Sequence, residues 1–534
     1  MADLTSAEEE TELKDLLKML KEEPGFLQCK NWPTEKALRT FRRLMSTAES
    51  CEKIKVVKQL TDIVQERDWD ALFLSVEAKH WVIFILDLAE WTRVKQFKNR
   101  EDQEYGKRDF EGAQERLLLF LRIIDTVLKK LHLFCTEKCV TSVCMTHEKE
   151  RQVIDSYELM LKERTDYAEE IIKAAIVDIM LICFTSMEQT LWTKNDCVDC
   201  TKSVMKVLLE MTGCRFVKDI LCGTTEYFEC KLFPKGIYSQ LLSRMQPHLT
   251  KELWKRNPAT TEAFCQSLLH VQMPELGGYL DHIFPLVLLL IDDYMTTNKL
   301  MGLKCLEHLI KNTSSAELKW YGRVDVLYDA LFQQLYSKET PVIEITLPCL
   351  LAVLKIAEVS PLKTDQPRVY GRYDKVFVQV LTNMEMENLL VLRQAYTKCL
   401  PSFLEAMGIT VVRHSRRLLR VFESFLEQYD SQVETAQQNI LKTMIVYIQE
   451  TWPRISCHCE QILKCVLKFV YDISVDETMT CQDVKDGLLA EATKCLIILK
   501  RACSKEVMEL LEPMKGDNFN VIFDGCVREI LESQ

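Results

Sequence analysis

Twenty-two cysteines in 534 residues make metal ligation and thiol chemistry the first possibilities to weigh. Cys197-Val-Asp-Cys200 has the two-residue gap of a zinc knuckle, and Cys214, Cys222 and Cys230 follow it. A tetrahedral zinc site needs a second such pair or paired histidines, and neither is near. The stretch therefore reads as thiols buried on a helix that continues through Met205, Val207 and Leu208. Cys135, Cys139, Cys144 and His147 form a second group, with spacings irregular for zinc. Cys457-His458-Cys459 sits where a helix begins, and because adjacent side chains on a helix diverge, these three cannot close on one ion unaided. No metal or cofactor is expected. GxxxxGK[ST], GxGxxG, HExxH and GxSxG are all missing, so nothing argues for an enzyme.

Arg413, Arg416, Arg417 and Arg420 share one helical face opposite Val412, Leu418, Leu419 and Phe422. This face is either solvated or a docking strip for an acidic partner helix. Phosphate or nucleic-acid contact is the weakest reading, because no aromatic residues interleave with the charges to stack on bases. Trp452-Pro453-Arg454 marks a helix junction, either a packed corner or a tryptophan and arginine turned toward a partner. A net charge of −11 argues against wholesale binding to nucleic acid or anionic membrane.

The elements that must position these residues are helices. Fifteen glycines and fourteen prolines are too few for an all-β chain. Between 278 and 356, Leu280, Ile283, Phe284, Val287, Leu288 and Ile291 make one apolar stripe, and Leu300, Leu303, Leu306 and Ile310 a second. Asp292, Asp293, Thr296, Thr297 and Asn298 lie between them as turn and cap residues. Leu318, Tyr321, Val324, Tyr328, Leu331 and Leu335 begin a second pair. Thr340-Pro341 then opens a helix carrying Val342, Ile345, Cys349 and Val353. A hairpin of helices that buries one side needs the next hairpin to cover it, which is the logic of an α-solenoid.

Pro285 inside the first helix, Asp292 or Asp293 at its end and Lys299 in the next form a HEAT-like signature, with the acid able to bond toward a base of a neighbouring repeat. Pro348 and Pro401 also fall inside helical patterns. The expected fold is all-α, an elongated solenoid of HEAT or armadillo-like helix pairs. Its expected parts are an N-terminal helical segment at 1–94, a mobile polar loop with few apolar anchors at 95–115, irregular helical repeats at 116–277 and regular pairs at 278–534.

Upstream, Ser6 and Glu9 have capping-box spacing before a helix ending at Pro24-Gly25. Further helices are expected at 34–45, 51–65, 71–91 and 116–134, two within 153–187, and another at 195–213. The later pairs are expected at 373–407, 411–450 and 455–501, with a short helix toward Ile530. Met1 to Glu10 lacks the charged-then-apolar order of a secretory signal. The apolar run Ile283 to Ile291 is shorter than the roughly 20 residues a bilayer needs. A reducing, cytoplasmic setting is expected, with the nucleus as a second compartment.

The run from Ile291 to Leu306, Ile-Asp-Asp-Tyr-Met-Thr-Thr-Asn-Lys-Leu-Met-Gly-Leu-Lys-Cys-Leu, resembles the family of second Tel-two-interacting proteins, the Tti-two subunits of the TTT complex. Glu252 to Ala259, Val324 to Tyr328, Leu392 to Tyr396, Gly408 to His414, Thr451 to Cys457 and Leu488 to Leu496 extend the resemblance over about 191–500. It implies a non-enzymatic scaffold working with the Tel-two protein, the first Tel-two-interacting protein and heat-shock chaperone machinery. Such a scaffold supports maturation and stability of phosphatidylinositol-3-kinase-related kinases such as mTOR, ATM and ATR, and so DNA-damage signalling. A HEAT-type phosphatase adaptor or transport receptor is the alternative.

Overall fold

Apolar residues spaced by three and four, rather than alternating, leave little that could pair as strands. In the computed structural model the regular elements among the described residues are all helical, apart from one isolated bridge between Thr225 and Phe228. The structure describes residues 33–47, 50–94, 96–97, 105–136, 147–226, 228–363, 369–429, 433–475, 481–516 and 520–533. The helix expected before Pro24 lies outside them, as do Cys139 and Cys144. The chain divides into two units, Met1–Glu275 and Leu276–Gln534.

The first unit contains α1 (Thr34–Thr47), α2 (Ser50–Glu66), α3 (Trp69–Phe73), α4 (Ala78–Thr92), α5 (Ala113–Thr136), α6 (His147–Thr185), α7 (Asn195–Thr212), α8 (Val217–Cys222), α9 (Tyr238–Met245) and α10 (Pro258–Leu268). Its core forms where α4, α5 and α6 meet, around Trp81, Phe84, Phe120, Ile124, Ile176 and Phe184. Two expectations fail here. The single helix expected at 71–91 is broken by a turn, which lets Trp81 donate from Nε1 to the Leu72 carbonyl at 3.3 Å and pack on Phe73, ring centroids 5.4 Å apart. The two helices expected at 153–187 are one, because no glycine or proline interrupts α6.

The expected polar loop at 95–115 has more anchors than its composition suggests. Phe97, Tyr105 and buried Phe110 form a ring cluster that meets Trp192, and the Tyr105 hydroxyl donates to the Lys255 carbonyl at 2.5 Å. These ring contacts tie the described parts of the stretch, 96–97 and 105–115, to the rest of the unit.

The second unit contains α11 (Leu280–Ile291), α12 (Thr296–Lys311), α13 (Ser315–Lys319), α14 (Arg323–Gln334), α15 (Thr340–Ala357), α16 (Arg372–Met386), α17 (Leu390–Met407), α18 (Ser415–Leu426), α19 (Thr435–Thr451), α20 (Cys459–Val475), α21 (Gln482–Ala502), α22 (Ser504–Leu511) and α23 (Val521–Glu532). Successive pairs are α11/α12, α14/α15, α16/α17, α18/α19 and α20/α21. The second helices of the pairs, α12, α15, α17, α19 and α21, pack one on the next. This is an α-solenoid. Pro285, Pro348 and Pro401 lie inside α11, α15 and α17.

Helix α15 is, by length and composition alone, long and apolar enough to cross a membrane, so the run at 283–291 is not the most membrane-like stretch. Here α12, α14 and α17 cover it, and Val342, Ile343, Leu347, Leu350 and Leu354 are buried. A helix flanked on several sides by others keeps only a narrow exposed face, here Pro341, Glu344, Pro348 and Lys355.

Two details of the pairs differ from expectation. The residue capping α12 is Met295, with no side-chain cap, although Asp293 is buried and accepts from Asn298 Nδ2 at 2.7 Å. Tyr321 is off the apolar stripe. The chain breaks between α13 and α14, with Tyr321 at φ 56° and Gly322 at φ 66°, both left-handed. Trp320 and Tyr321 stand 65% and 82% exposed with rings stacked at 14°.

Candidate interaction surfaces

The thiols are the side chains with the greatest capacity for chemistry. Cys197, Cys214, Cys230 and Cys459 are buried, and the described cysteines are free. Burial pushes the Cys135 thiol up to about 11 and the Cys459 and Cys465 thiols up to about 12. A thiol held neutral is a poor nucleophile and a poor metal ligand. Among the described residues no three metal-ligating side chains gather into a cation site.

The four arginines do share a face, but the fold employs three of them. Arg413 lies in the 3-10 turn Gly408–His414 before α18 and donates from Nη1 to Asp374 Oδ2 at 3.0 Å. His414 Nε2 lies 2.8 Å from the other Asp374 oxygen, and the Gly371 amide donates to the same carboxylate. Arg417 grips Glu385 of α16 with Nε at 3.1 Å and Nη2 at 2.6 Å, and reaches Thr382. That bidentate hydrogen bond is the main reason the Glu385 carboxyl lies below the usual carboxylate range, with the charges of Arg417 and Arg420 adding to it. Arg416 and Arg420 remain exposed. Arg420 Nη2 also lies 3.8 Å from Glu385 Oε1, so three of the four arginines bridge two helix pairs.

Trp452 opens the 3-10 turn Trp452–His458 and stands 64% exposed, with Arg454 exposed two residues on, so the packed-corner reading fails for this ring. Ile455 is the residue of that turn that faces the core. Asp292 and Lys299, expected as repeat residues, sit at the end of α11 and in the first turn of α12.

A feature not read from the sequence runs along the turns inside the pairs. Tyr294 lies in the α11/α12 turn and Tyr336 follows α14. Met386 and Leu389 flank the α16/α17 turn, Tyr429 and Val433 the α18/α19 turn, and Tyr471 and Val475 close α20. All eight are between 42% and 73% exposed. The tyrosines Tyr294, Tyr336, Tyr429 and Tyr471 keep the repeat period, with the first and last intervals both 42 residues.

Cross-links between successive pairs hold these turns on one edge. Arg323 bonds Asp281 at 2.5 Å, aligning the starts of α11 and α14. Lys338 reaches Glu387 at 3.1 Å, and Tyr336 lies 3.4 Å from Gln379. The Arg393 guanidinium sits 3.6 Å over the Phe425 ring and donates to the Ser424 carbonyl, and Lys468 pairs with Glu427. Beside the last turns, α18 and α20 enclose a groove of about 420 Å³ whose charged lining is Glu423, Glu427, Glu460 and Asp472 against Lys464 and Lys468. An apolar, tyrosine-studded edge with excess carboxylate suits a partner helix carrying apolar and basic side chains.

The Tti2 family model matches residues 179–430. This stretch, just under half of the chain, is similar to the Tti2 family. Over 340 residues, 64% of this chain and 65% of the relative, the chain is 37% identical to the mouse (Mus musculus) TELO2-interacting protein 2. Over 327 residues, 61% of this chain and 63% of the relative, it is 39% identical to the human (Homo sapiens) protein of that name. The chain thus spans just under two thirds of the length of these relatives. Among solved structures, importin beta aligns at 12% identity and a TM-score of 0.43, covering 99% of this chain and 70% of that one.

The Tti2 segment carries the exposed edge from Tyr294 to Tyr429, the Arg417–Glu385 clamp and the Trp320–Tyr321 pair, whereas Trp452 and Tyr471 lie beyond it. The apolar periodicity does not reveal this edge, because its residues lie between apolar stripes, where each looks like an incidental turn residue. Their recurrence at the repeat period was the available signal.

Proposed function

We propose that this chain is a non-catalytic scaffold subunit of a TTT-type complex, holding together the Tel-two protein and the first Tel-two-interacting protein. Through them it engages newly made phosphatidylinositol-3-kinase-related kinases, such as mTOR, ATM and ATR, and heat-shock chaperones. It works in the cytoplasm, with a nuclear pool. The observation that carries this reading is the Tti2-family segment itself, whose exposed turn residues recur at the repeat period. A solenoid offers surface rather than reacting groups, and surface acts by stabilising the state it binds.

The turn edge is the docking face in this reading. Truncating an aromatic anchor at the centre of an interface costs about 2 kcal/mol or more. A full-length variant carrying Tyr336→Ala, Leu389→Ala and Tyr429→Ala should therefore fail to co-purify the two partners, while its helical circular dichroism stays unchanged. Normal co-purification would move the interface elsewhere. Depletion should shorten kinase half-lives in pulse-chase without lowering their messenger RNA, and normal half-lives would sink the maturation role.

A further inference from the structure

The first unit holds a cleft of about 370 Å³ whose charged lining is Lys53, Arg93, Arg116, Arg244, His248 and Glu90. We propose that this cleft binds a small, multiply charged anion of the phosphate class. The proposal is independent of the scaffold reading, since it concerns the other unit.

The fold leaves positive charge in this cleft uncompensated. Asp178, buried on α6 and outside the lining, accepts from Arg93 Nη2 at 2.6 Å and Arg244 Nη2 at 3.3 Å, tethering guanidiniums from the end of α4 and from α9. Glu90 takes a further Arg93 nitrogen at 3.0 Å but is itself mostly exposed. Two carboxylates thus face four permanent cations. Among the described residues neither Lys53 nor Arg116 has a carboxylate partner. The Nε atoms of Arg93 and Arg116 are buried with no hydrogen-bond acceptor.

An unsolvated guanidinium donor without an acceptor is costly, and chains seldom keep one unless something else completes it. Burial alone pushes the Arg116 pKa down, with no anion nearby to offset it. In a chain of net charge −11 this concentration of positive charge is set against the overall field.

The ligand class follows from the geometry. The volume is in the range of small-molecule clefts, roughly 300 to 1,000 Å³. The walls supply Trp91, Leu117 and Leu181, with the hydroxyl-bearing Thr260 at the rim. Planar guanidiniums arriving from α4, α5 and α9 fit oxygens clustered on adjacent phosphoryl groups, which accept bidentate hydrogen bonds from several directions. A single carboxylate would satisfy only one of them.

The test is isothermal titration of the full-length chain with inorganic tripolyphosphate, with sulfate as the single-anion control and ATP without magnesium to show whether a nucleoside is tolerated. Tripolyphosphate should bind, raise the thermal midpoint and weaken as salt rises, and sulfate should bind far more weakly. Arg116→Gln and, separately, the half-exposed Lys53→Gln should each weaken binding about tenfold, the loss expected for a charge-assisted contact. Arg122→Gln, on the same helix but paired with Asp196 outside the cleft, should bind as the parent does. Lys53 carries the test should Arg116→Gln misfold. Absence of tripolyphosphate binding at millimolar concentration, or binding indifferent to Lys53→Gln and Arg116→Gln in folded protein, overturns the proposal.

Discussion

Gly302 gives the sharpest test of how the helix pairs are assembled. It lies inside α12 where that helix crosses α11, and a Cβ built on it would stand 2.8 Å from the Ile291 amide nitrogen, 2.8 Å from Leu290 Cβ and 2.9 Å from Ile291 Cγ1. Ile291 Cγ1 can rotate, but the amide nitrogen cannot move without shifting the end of α11. Replacing glycine by alanine in a helix interior normally stabilises by about 1 kcal/mol. Overpacking a close crossing costs about 1 to 3 kcal/mol.

The overlap involves backbone, so the upper half of that range applies, and Gly302→Ala should destabilise by about 1 to 2 kcal/mol net. Gly487 and Gly525 are controls within the same unit. Both are helical, in α21 and α23, and a Cβ there meets nothing within 4 Å. Gly487→Ala and Gly525→Ala should each stabilise by about 0.5 to 1 kcal/mol. The assay is hydrogen exchange on the full-length variants, read at α11 and α12 for Gly302 and at α21 and α23 for the controls, because a two-unit chain need not unfold in one step. Gly302→Ala slowing exchange as the controls do would refute the close-crossing argument.

The Arg417–Glu385 clamp should make the second unit acid-labile. The folded Glu385 pKa is depressed, so its contribution is present above the ordinary glutamate range and is lost as pH falls through the folded value; Glu385→Gln should flatten the decline in urea midpoint below about pH 4.5. Tyr321 sits at positive φ, so Tyr321→Gly should leave the thermal midpoint unchanged or raise it, and Tyr321→Val should lower it; the reverse order would show that the turn is not strained. Among the described cysteines, thiol labelling of the native chain should modify exposed Cys457 and Cys481 first, while Cys197 and Cys459 react only on unfolding; early loss of Cys459 would mean that α20 opens locally.

Helix placement was legible because it depends on residues three or four apart. The stripe from Leu280 to Ile291 became α11, Pro285 sits inside it, and Gly213, read as the end of a helix, is the left-handed residue terminating α7. The same rule explains the error at 71–91, since whether that helix breaks depends on what Trp81 can pack against, whereas the lack of a glycine or proline breaker at 153–187 was readable. Tertiary structure alone decided which charges are employed and which are free. Arg417 meets Glu385 from 32 residues away and Arg93 meets Asp178 from 85, distances at which periodicity carries no information. Tyr336 and Leu389 were likewise undecidable one by one: an apolar turn residue is buried or exposed according to whether the next pair covers it. In this solenoid the pairs stack side by side, which covers their faces and leaves the turns in water.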